Sequence, residues 1–82
     1  MPTVKIIQRK LGAHNAAGRY IHGKKKSVIE IDPRQTPAAE MDTLIHESLH
    51  HVFPYLDEET ITKGATDVAK IVWEYGYRKV KQ

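Results

Sequence analysis

The chain contains no cysteine in 82 residues, and only one Phe and one Trp. That absence removes disulfide staples, thiolate ligands and cysteine nucleophiles together, so any metal must be held by His and carboxylates. No stretch approaches the roughly 18 apolar residues of a membrane span, and residues 1–30 carry no apolar leader segment. The expected compartment is the cytoplasm. Charge of neither sign dominates: 13 Lys and Arg against 10 Asp and Glu leave +3, which suits an acidic partner without demanding one. The run Lys24-Lys25-Lys26 has no interleaved aromatic and matches no nucleic-acid-reading motif, so it reads as a solvated hairpin tip. What remains, 40% hydrophobic and 28% charged, is the composition of a globular protein. The length suits one small domain spanning residues 1–82. Such a domain buries only about 60 to 65% of its unfolded surface, so a bound metal or partner would add useful stability.

The hydrophobic pattern changes period near the middle. Val4, Ile6 and Ile7 alternate imperfectly and predict a strand over residues 3–9. Arg19–His22 makes a second short strand, and Ser27–Asp32 a third, which Pro33 ends. Thr36 then suits a helix N-cap, Pro37 the first helical position and Glu40 the positive helix end. Ala38, Met41, Ile45, Leu49 and Val52 recur at three and four, giving a helix over 37–52 that Pro54 stops. Asp57 caps a second helix over 58–76, with Ile61, Ala65, Val68, Ala69, Val72 and Trp73 as its apolar stripe and Gly76 at its C-cap. The fold class is therefore α+β, a small antiparallel sheet of two or three strands packed against two helices.

The residues that carry chemistry are His46-Glu47-Ser48-Leu49-His50. Two His four apart leave one side of a helix a single turn apart, so both imidazoles can reach one ion at about 2.0 to 2.1 Å from each nitrogen. At about 100° per residue they lie away from the apolar stripe and open toward a cleft. Glu47 follows the first ligand, where its carboxylate can serve as general base to a water that a metal activates. Catalytic zinc takes three protein ligands, and the third is sought in Asp57, Glu58 and Glu59 at the head of the next helix. Glu58 shares the inward side of that helix and ranks first, Glu59 second, and Asp57, expected to be engaged as the cap, third.

The segment Thr43–His50, preceded by Ile29–Arg34 and followed by Phe53–Glu59, resembles the small zincin-type metallopeptidases, particularly phage-encoded ones, over roughly residues 27–80. The resemblance implies a minimal zincin-like fold in which His46 and His50 bind Zn2+, Glu47 is catalytic, and an acidic residue of the next helix completes the site, as in gluzincins. It also implies a strand ahead of the active-site helix whose edge holds an extended peptide, here assigned to residues 27–32. Two departures narrow it. The metzincin extension would need Gly and His at Phe53 and Leu56, and the longer gluzincin spacing to the third ligand is absent.

The expected function is zinc-dependent hydrolysis of peptide bonds in a peptide or protein substrate. The alternative is a non-catalytic binding module stabilised by zinc, such as a phage protein engaging a host target. His51 reads as a surface or packing residue, and His14 and His22 have no partner at ligand spacing. Tyr55, Tyr75 and Tyr77 are candidate oxyanion donors, though packing at the core edge is favoured for each, with Tyr55 nearest the site. Trp73 reads as core.

Overall fold

A computed structural model describes residues 3–12 and 16–80, which excludes His14. Three strands, β1 (Thr3–Gln8), β2 (Gly18–Ile21) and β3 (Lys26–Ile31), precede two helices, α1 (Pro37–Val52) and α2 (Glu58–Tyr75). The α+β class and all five elements follow the sequence pattern. The sheet is mixed rather than wholly antiparallel, with β3 in the centre, β2 antiparallel on one side and β1 parallel on the other. Parallel pairing brings the C-terminal ends of β1 and β3 together, and two buried carboxylates use what arrives there. Glu30 takes Arg9 at 3.0 Å, and Asp32 takes the Leu11 N–H at 2.9 Å. A hairpin from β1 into β2 would place neither donor there.

Strand alternation gives the sheet two different faces. Ser27, Ile29 and Ile31 share one face with Gly18 and Tyr20, and α1 lies on it. Tyr20 reaches His51 of α1 at 2.8 Å, and a Cβ on Gly18 would collide with Thr43 Cγ2. Arg19, Val28 and Glu30 occupy the opposite face, which no helix covers among the described residues.

Both helices are capped as their sequences require. Thr36 accepts a hydrogen bond from Ala39 N–H and Asp57 one from Thr60 N–H, while Gly76 adopts φ 109° at the C-cap of α2. The contacts His50–Glu58, Asp42–Thr66 and Glu40–Lys79 run in opposite senses, so the helices are antiparallel. α2 packs on α1 and makes no close backbone approach to a strand among the described residues. Neither helix is long and apolar enough to cross a membrane.

The apolar stripe of α1 is less buried than its spacing suggests. Ala38 and Val52 are exposed and Met41, Ile45 and Leu49 half-buried, whereas the buried residues of this helix are Thr43 and Glu47. The core proper is Ile29, Ile31, Ile61, Ala65 and Ala69. Trp73, expected inside, is half-buried, with the Arg78 guanidinium 3.4 Å above its ring.

Gly18 has little room to change, because an added Cβ would also lie 3.3 Å from Glu47 Cγ. Gly18→Ala is expected to destabilise the fold by about 1 to 3 kcal/mol, as overpacking does. Gly12→Ala, where a Cβ meets nothing within 4 Å, should not. Urea denaturation of both variants checks this.

Burial of Glu30 opposes its charge, but hydrogen bonds from Arg19 and Arg9 outweigh that and hold its pKa below the ordinary 4.5. A carboxyl with a lowered folded-state pKa stabilises fully above its unfolded value and loses that contribution as pH falls through the folded one. Stability should therefore decline below about pH 4.5. Glu30→Gln should lower the urea midpoint at pH 7 and flatten its acid dependence.

Candidate metal centre

The cap at Thr36 sets the start of α1, and an unbroken helix then carries His46 and His50 one turn apart on one side. Their Nε2 atoms lie 3.3 Å apart. Pro54 and a turn closed by Leu56 N–H on the Phe53 carbonyl fold the chain back, and the Asp57 cap starts α2 with Glu58 in its first turn. Glu58 offers one oxygen to each ring, Oε1 at 2.8 Å from His46 Nε2 and Oε2 at 2.9 Å from His50 Nε2.

These three residues place one donor atom each within 4.8 Å of one another. A tetrahedral ion with bonds of about 2.05 Å separates its ligand atoms by about 3.3 Å, the distance between the two imidazole nitrogens. The set of two imidazoles and one carboxylate also suits a borderline ion such as zinc. The residues present therefore fit a metal.

The other two acids at the head of α2 stand apart. Asp57 is engaged as the N-cap, and its pKa is lowered by the hydrogen bonds from Thr60. Glu59 lies beside Thr62 and Lys63 on another surface.

Glu47 shares the cleft with the three donors. Gly18, Arg19 and Tyr20 complete its wall, and the cavity measures about 340 Å³. The Glu47 side chain lies against Gly18 and is 9% exposed, yet no protein hydrogen bond holds its carboxylate among the described residues. Burial pushes its pKa up. His46 and His50 pull it down, and Glu58 adds to the rise. The result is a carboxylate with more affinity for a proton than a surface Glu, which is the tuning a general base needs.

Sequence reasoning missed the β2 side of this cleft. Tyr55, Tyr75 and Tyr77 are 77%, 81% and 63% exposed and line no part of it, whereas Tyr20 does. The Tyr20 hydroxyl is hydrogen-bonded to His51 Nδ1 at 2.8 Å and lies 3.1 Å from Ser27 Oγ. His51 is thus a packing residue, with its Nε2 buried and without a partner among the described residues. The signal in the sequence was period two, which sets Gly18 and Tyr20 on one face of a short strand. The strand edge assigned to residues 27–32 is also corrected. β3 is paired on both sides, so the edge beside the cleft is that of β2.

Comparison with protein-family models, with curated proteins and with solved structures finds no match, so the functional reading rests on the geometry of this cleft. Glu58→Gln is expected to weaken Zn2+ binding at least about tenfold in calorimetric titration, a loss typical of disturbed metal sites. Glu59→Gln should leave it unchanged.

Proposed function

We propose that the chain is a minimal zinc-dependent peptidase, with His46, His50 and Glu58 as the metal ligands and Glu47 as the general base. The observation that carries this reading is the meeting in a single cleft of three metal-type donors and the nearly buried Glu47, whose carboxylate no protein hydrogen bond holds among the described residues. Zinc held there supplies Lewis acidity, lowering the pKa of water to about 7 and polarising a peptide carbonyl.

The protein's own groups do the rest. The Glu47 carboxylate accepts the proton of the attacking water and returns it to the leaving amine nitrogen. His46 and His50 hold their rings in fixed relation because one rigid helix carries both. The outer edge of β2, which pairs with no strand among the described residues, is suited to an extended peptide, which would pair its backbone with the strand beside the cleft. Tyr20, locked by His51, forms the wall beneath it.

Glu47→Gln tests the assignment. The variant is expected to bind one zinc per chain and to melt as the wild type does, while hydrolysis of casein falls by roughly 10² to 10⁴. A wild type that binds zinc, gains stability from it and cleaves no unstructured protein would instead fit a zinc-stabilised binding module. In that case saturation at about 100 times the dissociation constant would add about 2.7 kcal/mol.

A further inference from the structure

The charge of the chain is divided between its two halves. Residues 1–35 hold eight Lys and Arg against two acids, a formal +6, and residues 36–82 hold five against eight, a formal −3. The sheet is therefore the cationic side of the molecule, and one of its cations stands at the cleft. Arg19 lines the cavity from the edge strand, but its side chain points to the uncovered sheet face, in register with Glu30.

Glu30 is 2% exposed and braces that side chain, with Arg19 Nε at 2.8 Å and Nη2 at 2.6 Å from Oε1. The same carboxylate also takes Arg9 through Oε2. Two guanidiniums thus share one negative charge, and a net positive charge remains. The Arg19 side chain is 54% exposed, and about three of its five N–H donors stay free for a ligand.

A peptide paired to the β2 edge must alternate its side chains between the two faces of the sheet. Those on the α1 side enter the cleft. Their immediate neighbours emerge on the other face, beside Arg19, at the spacing of cross-strand pairs of about 5 Å. We propose that Arg19, pre-oriented by the buried Glu30, is a specificity-determining residue that selects an acidic side chain in a substrate peptide lying along β2. The braced guanidinium can grip a carboxylate through two parallel hydrogen bonds with little rotamer entropy left to lose. The cationic sheet favours the approach of such acidic segments.

This inference rests on the peptidase reading, and the test separates the two. Internally quenched decapeptides are compared in which Glu, Gln or Lys is walked through each position of an otherwise identical sequence. The zinc-loaded wild type should cleave at a fixed distance from Glu, with kcat/KM at least about tenfold above the Lys counterpart. Arg19→Glu should invert that preference. Should it fail to fold, Arg19→Gln must bring the Glu-to-Lys ratio close to one. Arg34→Gln, which breaks an ion pair with Asp32 away from the cleft, should keep the wild-type ratio. Equal cleavage of all three peptides, or a ratio untouched by Arg19→Gln, overturns the assignment. If the wild type cleaves none of them, the peptidase reading fails separately. The same ratio is then read as dissociation constants by fluorescence anisotropy on zinc-loaded protein, where equal affinities for the Glu and Lys peptides overturn the proposal.

Discussion

The seating of α1 on β2 at Gly18 is the contact on which the rest depends. A strand residue without a side chain lets Thr43 and Glu47 sink against the sheet, so the deepest part of this helix is polar. Burying a carboxylate is costly unless its charge is compensated, and here the pair of imidazoles on the same helix offsets only part of that cost. The dehydration that raises the affinity of Glu47 for a proton and the helical turn that aims His46 and His50 are consequences of one packing decision. A larger residue at position 18 would lift this face of α1 away from its wall.

The sheet is organised by charge as much as by apolar burial. Glu30 and Asp32 are both buried in or just after the central strand, and each is matched by guanidinium groups that remain partly in solvent. The Arg34 guanidinium and the backbone N–H groups of Leu11 and Arg34 hold the Asp32 carboxyl far below the usual carboxylate range. These contacts specify partners that hydrophobic contact would leave open: a parallel β1 is the arrangement in which Arg9 meets Glu30 of β3 and Leu11 meets Asp32 just after it.

Local signals in the sequence proved sufficient for local structure. Thr36, Pro37, Asp57 and Gly76 act through hydrogen bonds and backbone angles within a few residues, and each stands where its chemistry puts it. The His46–His50 spacing is equally local, and Glu58 could be placed because only a short turn separates the helices. Long-range pairing was not legible. The direction of β1 depends on Arg9 meeting Glu30, 21 residues away, and the hydrophobic alternation of β1 carries no information about that partner. The role of Tyr20 was hidden for the same reason, since it depends on His51, 31 residues along the chain. The periodicity of α1 misled in a specific way, because a helix touched on two sides need not bury its apolar stripe most deeply.

α1 is also the common support of the sheet and of α2, which make no close backbone approach to each other among the described residues. The sheet leans on one flank of it and α2 on another. The cleft takes one bank from β2 and the other from Glu58, so its width is set by two separate seatings on a shared rod. The spacing of His46, Glu47 and His50 is fixed by that rod alone, whereas the reach of Glu58 to both imidazoles depends on the seating of α2. A change in either seating would therefore reshape the cleft while the helix that bears the two imidazoles stayed whole.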